Sequence, residues 1–369
     1  MKKKLLFVHL LNNYTGSPNV LSSLLSGSEL LNTNDVYLLT SNSKGPLSFD
    51  RDIKFVNNYY KWSDNKIVLL FNLIKSHIFQ FFYILFGPKF DLVYINTILP
   101  FAAAFAARIR RIKVIYHVHE YYPKKNIMQR MCVYVLKRLD CKKIFVSQYL
   151  KISYENDGIF EGDVVYNPVS NIFETFFDTK PFNDSYLYNR YNLKKIIMPC
   201  SLKIYKGIPE FFLIAEKMPE FNFCLVLSCS EAKATNFLGQ YAIPQNVTIK
   251  YNIMNMVDEY DSCSLCINLS HPYGDDIFIE TFGMTLIEAQ SLAIPVIAPA
   301  VGGPLEIISN GLNGFFANPF NFEEIIELIN KIFLNYETYS LLCKNAYKNS
   351  KRFNQSIFQK SIVDIINEK

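Results

Sequence analysis

Two glutamates with seven residues between them frame the segment of this chain that is richest in chemistry. Glu280 and Glu288 lie in the run ETFGMTLIEAQ, with apolar runs typical of buried strands before it at 265–270 and after it at 294–300. This order of strand, loop, helix and strand fits an open parallel sheet, which binds ligands at the carboxyl ends of its strands. Carboxylates accept hydrogen bonds from sugar and ribose hydroxyls, and the amides at a helix N-terminus bind phosphate. The segment therefore predicts a nucleotide-sugar site.

Gly283 stands where the chain must turn from the loop into the helix. A glycine lets the backbone approach a pyrophosphate closely, so Met284 and Thr285 would supply the amides that bind it; an ordinary helix N-terminus explains the glycine equally. Glu288 lies in an otherwise apolar run and needs a polar partner, which a ribose diol or a lysine would provide. Glu280 precedes the helix, where its charge also suits the helix dipole.

Two further segments place candidate side chains at the ends of predicted strands. Lys206-Gly207 follows the first strand of the second half and opens a helix, so the lysine can pair with phosphate as a point charge. His117 and His119 end an earlier strand, and alternation sends both to the same face. We expect His117 to lie in the core and His119 to contact a reacting hydroxyl. No third ligand accompanies the histidines, so they do not predict a metal site.

A glycine-bearing loop follows the first predicted strand. Gly16 lies there in the run YTGSP, just before a predicted helix. The run has neither the spacing of a dinucleotide-binding fingerprint nor that of a P-loop. We expect the loop to pack against a bound ligand.

Short apolar runs alternate with helical patterns along the chain, which predicts repeated βα units and parallel sheets. The predicted strands of the first half are 4–10, 35–40, 53–57, 92–96, 114–119, 143–147 and 163–166. Those of the second half are 196–201, 223–228, 247–252, 265–270, 295–300 and 314–317. Helices are predicted at 19–25, 66–86, 100–110, 126–139 and 148–155, and then from 208, in the Glu288 segment, and from 304, 321, 337 and 354. Residues 168–190 lack clear periodicity and are predicted to be a linker.

The length of 369 residues exceeds that of one ordinary domain, and half of the residues are hydrophobic. Disorder is thereby excluded as the state of most of the chain. Two series of βα units joined by a linker predict an α/β protein with two Rossmann-like domains whose parallel sheets face across a cleft. We expect a first domain at 1–180, a second at 181–352 and a terminal helix at 353–369.

The positive charge of the chain is concentrated in its first half. Residues 1–185 carry 23 Lys and Arg against 15 Asp and Glu, whereas the remainder carries 15 against 18. A solvated face explains such an excess, and so does attraction to an anionic membrane or a phosphorylated acceptor. No nucleic-acid-binding motif accompanies the charge, so we expect no nucleic-acid partner.

One apolar stretch, at 67–87, resembles a membrane span, but Asn72, Lys75, His77 and Gln80 interrupt it. A lysine inside a span costs about 3 kcal/mol. We therefore favour a long helix lying on a sheet, part of whose surface can also touch lipid.

The cysteines and the N-terminus favour a reducing, cytoplasmic location. Most of the eight cysteines lie in apolar patterns, and the run MKKK leads straight into a strand without a signal peptide. Cys263 and Cys266 match CxxC, but no second pair has zinc spacing, so we expect buried free thiols and no metal.

With these residues in hand, the chain resembles a retaining glycosyltransferase of the GT-B fold, in the family of the glycosyl transferases group 1 (glycosyltransferase family 4). The resemblance covers most of the chain and is sharpest from Asn268 to Gly314, where the glutamate pair is followed by Pro295-Val and by Gly302-Gly-Pro-Leu-Glu306. Further landmarks resemble the first domain of the polysaccharide and lipopolysaccharide branch: Asn96-Thr97, His117-Val-His119-Glu120, Val146-Ser147 and Asn167-Pro168.

The resemblance implies a role for each candidate residue. Glu288 would bind the ribose hydroxyls of the donor nucleotide, and Glu280 would meet the donor sugar. Backbone amides from Phe282 to Thr285 would hold the sugar and diphosphate, and Lys206 would neutralise the leaving diphosphate. His119 would lie near donor sugar and acceptor, Gly16 would contribute to donor binding, and the last helix would cross back to the first domain.

The chain departs from the family pattern at two positions. Ser201 stands where the family has a phosphate-binding arginine, and we expect Lys203 to compensate. The first loop reads Gly16-Ser17 where the family has two glycines.

The resemblance implies transfer of a sugar, with retention and without a metal or other cofactor, from a UDP- or GDP-sugar to a lipid-linked or cell-surface glycan. We expect the enzyme in the cytoplasm, in peripheral contact with anionic membrane. A nucleotide-sugar epimerase of the same fold and a non-catalytic nucleotide- or glycan-binding subunit of a synthase complex are the alternatives.

Overall fold

The structure, a computed structural model, describes residues 2–48, 53–273 and 278–368. It divides into two compact units, one formed by residues 1–170 with 355–369 and the other by residues 171–354. We expected the boundaries at 180 and 352, and the chain instead divides at 170 and 354. The first of these differs because residues 171–179 fold within the second unit, where the ring of Phe173 contacts that of Tyr260 edge-on.

The first unit contains a seven-stranded parallel sheet in the order β3-β2-β1-β4-β5-β6-β7. Its strands are β1 Lys3–Val8, β2 Asn34–Thr40, β3 Lys54–Asn57, β4 Leu92–Asn96, β5 Lys113–Val118, β6 Lys142–Phe145 and β7 Asp163–Val164. Its helices include α1 Gly16–Leu25, α2 Ser28–Thr33, α3 Lys66–Phe86, α4 Phe101–Ile109, α5 Ile127–Arg138 and α6 Gln148–Glu155. The central strands β1, β4 and β5 are apolar and buried apart from the lysines at which β1 and β5 begin, because helices cover both faces of such a sheet.

The second unit contains a six-stranded parallel sheet in the order β10-β9-β8-β11-β12-β13. Its strands are β8 Lys195–Cys200, β9 Asn222–Leu227, β10 Val247–Tyr251, β11 Leu265–Ile267, β12 Val296–Ala298 and β13 Gly314–Phe316. Its helices are α7 Asn171–Glu174, α8 Phe176–Thr179, α9 Asp184–Leu193, α10 Ile208–Lys217, α11 Glu231–Leu238, α12 Met256–Asp261, α13 Met284–Ser291, α14 Pro304–Ile307, α15 Phe322–Ile332 and α16 Tyr336–Ser350. Short 3₁₀ turns lie at Ile204–Lys206 and Lys351–Phe353.

Both sheets confirm the predicted α/β class with two Rossmann-like domains. Each predicted strand is present within a few residues of its expected bounds. In both sheets the order reverses beside the first strand of the unit, β1 or β8, and such a reversal marks the ligand-binding edge of doubly wound folds.

The expected linker at 168–190 is wrong, because α7, α8 and most of α9 occupy it. These helices lack an apolar period and are fixed by particular contacts instead. Arg190 is 2% exposed, and its guanidinium donates to Leu292 O and to Asp261 Oδ1. Such polar anchors leave no trace in hydrophobic periodicity.

The last helix, α17 Gln355–Asn367, belongs to the first unit, in line with the family's terminal crossover. It contacts α1, and the side-chain amides of Gln355 and Gln359 both donate to Ser23 O, at 2.9 and 2.6 Å. The ring of Phe358 stacks on that of His117, with 6.1 Å between their centroids.

Candidate functional site

The loop that carries Glu280 is held against a pair of glycines. Gly303 N donates to Glu280 O at 2.8 Å. A Cβ atom on Gly302 would lie 2.3 Å from Glu280 O, and one on Gly303 would lie 2.1 Å from Phe282 O. Because real Cβ atoms do not approach backbone so closely, this glycine pair lets two loops meet at van der Waals distance. The glycine pair therefore fixes the backbone from Glu280 to Phe282.

Gly283 begins the helix as expected. It has φ +114° and is the N-cap of α13. The first intrahelical hydrogen bond is donated by Leu286 N to Gly283 O. The amides of Met284 and Thr285 precede it and therefore take no part in the hydrogen bonds of the helix. Amides in that position point along the helix axis and suit an anionic group.

Lys206 and Glu280 form an ion pair. Their Nζ and Oε2 atoms lie 3.0 Å apart, with 14% and 23% of the two side chains exposed. The ammonium also lies 4.0 Å from the ring centroid of Phe278, and that ring stacks on Tyr205 at 4.6 Å. We expected a lysine as one possible partner of Glu288, and the structure pairs Lys206 with the other glutamate.

A second close approach between backbones positions Lys206. Gly207 has φ +77°, and a Cβ there would lie 2.4 Å from Leu269 Cβ and 2.5 Å from Leu269 O. His271 N also donates to Tyr205 O at 2.9 Å. The ends of β8 and β11 are thus joined, so the turn that carries Lys206 lies beside the strand that leads towards Glu280.

Glu288 is held by a tyrosine. Tyr260 Oη lies 3.2 Å from Glu288 Oε2 and 3.2 Å from Thr285 O. Burial raises the pKa of Glu288 to about 7, and the hydrogen bond from Tyr260 partly opposes that rise. A carboxyl of this kind can accept hydroxyl hydrogen bonds when it is ionised.

Lys203 lies on the same turn as Lys206, whose amide donates to Lys203 O at 3.0 Å, but it is not part of this ion pair. Its side chain is exposed and forms no ion pair within the described ranges 2–48, 53–273 and 278–368, while its amide donates to Ser201 O at 2.8 Å. The compensation for the missing arginine at Ser201 stays a prediction.

In the first unit, Asn96 connects the ends of three strands. Its Nδ2 donates to Ser17 O at 3.0 Å and lies 3.1 Å from His9 Nδ1, and its Oδ1 lies 2.8 Å from His119 Nε2. Ser17 O can only accept, which fixes the orientation of the amide and makes Oδ1 the atom that faces His119. His119 therefore donates from Nε2, and its neutral ring has Nδ1 as an acceptor.

The imidazoles around Asn96 are held neutral. Burial lowers the pKa of His9 to about 4 and that of His117 to about 3. Burial, reinforced by His117 and His9, holds the pKa of His119 well below its usual value. The rings of His117 and His119 lie 4.2 Å apart, as expected for side chains on one face, and His117 lies in the core with its Nδ1 2.8 Å from Tyr94 Oη.

Gly16 lies at the start of α1 and is exposed. Its neighbour Ser17 is the residue whose carbonyl receives Asn96 Nδ2. The first loop is thereby connected to His119 through a single amide side chain.

Several of these supporting residues were missed from the sequence, namely His9, Asn96 as a connecting residue, Tyr260, and the packing role of Gly302 and Gly303. The glycines carried a signal, since a Gly-Gly pair after a buried strand often marks close backbone approach. His9 follows β1 directly, but its relation to Asn96 depends on strand order, which local patterns do not give.

Comparison with known proteins gives two family matches. The model "Glycosyl transferases group 1" matches residues 189–349, and the model "Glycosyltransferase Family 4" matches residues 29–170. A sucrose synthase of Melioribacter roseus is 34% identical over 91 residues, which cover 23% of this chain and 12% of that protein. The chain spans 12% or less of the length of the first three curated relatives it matches.

Solved structures agree along almost the whole chain. The Anabaena protein HepE, crystallised with UDP-glucose, is 19% identical, covers 98% of this chain and 99% of its own, and gives a TM-score of 0.75. WaaG, a glycosyltransferase involved in lipopolysaccharide biosynthesis, is 14% identical, covers 99% of this chain and 100% of its own, and gives a TM-score of 0.74. At these identities the similarity shows a shared fold.

Proposed function

Because the chain belongs to the GT-B glycosyltransferases of the family 4 type, we propose that it transfers a sugar from a nucleotide-diphosphate sugar to a glycan acceptor. The observation that carries this proposal is the pairing of Lys206 with Glu280, three residues before the N-cap of α13, with Glu288 on that helix. A cation, free amides and two carboxylates are the groups that a diphosphate, a sugar and a ribose need.

The proposed division of labour follows the chemistry of each group. The amides of Met284 and Thr285 and the ammonium of Lys206 bind the diphosphate, whose charge grows as the bond to the sugar breaks. Glu280 accepts from a hydroxyl of the donor sugar, and Glu288 accepts from the ribose. Lys203 adds a second cation for the phosphates in place of the arginine missing at Ser201.

The first unit supplies the acceptor side in this proposal. His119 is neutral and is oriented by the hydrogen bond from its Nε2 to Asn96 Oδ1, and we assign it to the neighbourhood of the reacting hydroxyl. We propose that the acceptor is a lipid-linked or cell-surface glycan of polysaccharide, capsule or O-antigen type. This acceptor class follows from the resemblance to the polysaccharide and lipopolysaccharide branch of the family, and WaaG, a glycosyltransferase involved in lipopolysaccharide biosynthesis, shares the fold.

We further propose that the reaction retains the anomeric configuration, takes a UDP- or GDP-sugar, requires no metal and takes place in the cytoplasm. NMR of the product gives the configuration of the new bond. Activity that survives excess EDTA tests the independence of metal, and a panel of UDP- and GDP-sugars identifies the base.

The decisive experiment measures nucleotide release by the purified protein with each donor, with and without acceptor extracts. We expect release that depends on both substrates and is abolished in Lys206→Ala and in Glu288→Ala. Epimerised donor without acceptor would favour a nucleotide-sugar epimerase instead. Donor binding without turnover in any extract would favour a non-catalytic subunit.

A further inference from the structure

Helix α3 exposes a run of large apolar side chains, and its buried side contains two polar residues besides Leu73 and Ile84. A stripe of large apolar residues, here called the apolar stripe, runs along its open side with exposed fractions of 48% to 80%; it consists of Ile67, Phe71, Ile74, Ile78, Phe82 and Phe86. The opposite side buries Ser76 and Gln80 completely, and the amide of Gln80 donates to the Ser76 hydroxyl at 3.0 Å. A continuous apolar stripe on the open side differs from the polar outer face of a surface helix on a soluble domain.

The neighbouring helix extends this surface. Helix α4 packs against α3, and Phe105 and Ile109 of α4 are 54% and 52% exposed. The ring of Phe105 stacks on that of Phe81 with 6.4 Å between centroids. Exposed apolar surface that continues across two elements marks a site of contact with a partner or a membrane.

Positive charge surrounds the apolar stripe. Residues 59–111 contain seven Lys and Arg against two Asp and Glu. Arg110 Nη1 donates to Ile84 O, Gly87 O and Pro88 O, so this arginine closes the C-terminus of α3. The exposed cations around the stripe include Lys61, Lys66, Lys75, Arg108 and Arg111.

A basic cavity adjoins the same surface. It has a volume of about 550 Å³ and lies at the amino ends of β5 and β6, at the opposite edge of the sheet from Asn96 and His119. Its lining includes four cations and one carboxylate: Arg108, Arg111, Lys113, Lys142 and Asp140. Ile109 of α4 also lines it, so the cavity and the apolar surface share an edge.

We propose that the α3–α4 face is a docking surface for a bilayer of anionic phospholipid, and that the cavity beside Arg108 and Arg111 receives a lipid phosphate. Apolar side chains enter the acyl boundary while surrounding cations meet the headgroups, which is the physics of an interfacial helix. The inference adds a membrane surface to the proposed transferase, and its test does not depend on turnover.

The helix lies on the membrane and does not cross it. Lys66–Phe86 is the one helix within the described ranges that is long and apolar enough to span a bilayer, with a mean hydropathy of 1.6. If α3 crossed a bilayer, Leu73 and Ile84 would have to leave the core of the first unit, and the hydrogen bonds from Arg110 to the end of the helix would break. Carbonate extraction of the bound protein distinguishes the two states, and we expect full release.

The test is co-sedimentation of the full chain with vesicles of phosphatidylglycerol and phosphatidylcholine in a ratio of about 1:2, and with phosphatidylcholine alone. We expect binding to the anionic vesicles that weakens as salt rises, and little binding to the neutral ones. Absence of binding to anionic vesicles, or equal binding to both, overturns the proposal.

Two variants test the two parts of the surface. Phe71→Asp with Ile78→Asp places two charges in the apolar stripe, and we expect it to abolish binding to the anionic vesicles. Leu334→Asp with Leu341→Asp, at 73% and 61% exposed sites of the second unit, is the matched control and should bind as the native chain does. Arg108→Gln with Arg111→Gln should weaken binding to anionic vesicles by about 25-fold, at about five-fold per cation. Lys217→Gln with Lys348→Gln removes the same charge elsewhere and should have little effect.

Thermal melting of each variant establishes that it is folded, as the substituted side chains are exposed. Sedimentation velocity measures the oligomeric state of the native chain and of the stripe variant. A dimer that Phe71→Asp with Ile78→Asp converts to a monomer would show that a second copy covers the face, and would overturn the membrane assignment.

Discussion

Lys206 Nζ lies 3.0 Å from Glu280 Oε2 although 74 residues separate the two in the chain. Both side chains are mostly screened from water. The contact of Gly207 with Leu269 positions the backbone beside Lys206, and that of Gly303 with Phe282 positions the backbone near Glu280. The pair ties the ammonium to Glu280, three residues before Gly283, the N-cap of α13. In the proposed function, the donor diphosphate takes Glu280's place as the partner of the lysine, and Glu280 accepts from a sugar hydroxyl.

Lys206→Met should reduce turnover by about 10² to 10³ while the protein stays folded, because a cation that meets developing charge acts mainly in the transition state. Donor turnover measures the loss. The melting temperature should fall as well, because the variant leaves the mostly screened Glu280 carboxylate without its partner, so turnover is compared at a temperature where both proteins are folded.

Lys203→Met is the matched control for that substitution, at a cation on the same turn with an exposed side chain. We expect a smaller loss that appears mainly in KM. An equal loss in both variants would show that the Lys206 pair has no special role.

The pH dependence of Glu288 gives a second prediction. Its folded-state pKa of about 7 lies above the usual 4.5, so its protonated form favours folding. The contribution to stability is present below pH 4.5 and is lost as pH rises to about 7. It amounts to at most about 3 kcal/mol. Glu288→Gln should remove this dependence and melt higher than the native chain above neutrality.

Binding of donor should show the opposite trend, since an ionised Glu288 is the better acceptor for ribose hydroxyls. A UDP-sugar, whose diphosphate does not titrate in this range, should bind more tightly as pH rises through about 7. Calorimetry of the native chain and of Glu288→Gln compares the slopes. Equal slopes would contradict the assignment of Glu288 to the ribose.

Much of the fold could be predicted because parallel strands and covering helices leave apolar runs in the sequence. The helices at 171–193 could not, since the anchors of that segment are the guanidinium of Arg190 and aromatic contacts such as Phe177 on Tyr186. A buried arginine looks like any polar residue until its acceptors, Leu292 O and Asp261, are known.

The candidate site also contains some residues that could be predicted from the sequence and some contacts that could not. The glutamate segment, Gly283 and Lys206-Gly207 were found because strand ends and glycines mark them locally. The pairing of Lys206 with Glu280, and not with Glu288, depends on side-chain geometry across two strand ends. Tyr260 lies on α12, outside any motif, and only the folded chain brings it to Glu288.

Asn96 provides a third prediction. It is fully buried, and its loss would leave Ser17 O and His119 Nε2 without the partner they have now, so Asn96→Ala should destabilise the first unit by about 1 to 3 kcal/mol. Turnover should also fall, because the tautomer of His119 is no longer fixed. Chemical-shift measurements on ¹⁵N-labelled histidine should show the Nε2–H form of His119 in the native chain.

The variant Asn96→Asp refines that test. It keeps an acceptor towards His119 and loses the donor to Ser17 O, and its negative charge should raise the pKa of His119. Titration of His119 near neutrality in this variant alone is the expected result. A native His119 that titrates at its usual value would contradict the neutral, buried state described above.

The glycine at 207 offers a last prediction with an internal control. Gly207 and Gly311 share φ +77°, so alanine meets the same backbone strain at both, about 1 to 2 kcal/mol. They differ in contacts, since a Cβ would lie 2.4 Å from Leu269 at position 207 and no closer than 3.9 Å to any neighbour at position 311. Gly207→Ala should therefore melt well below Gly311→Ala and lose turnover, because the turn that carries Lys206 must move away from Leu269. If both variants lose the same stability and keep the same turnover, close backbone approach does not position the lysine.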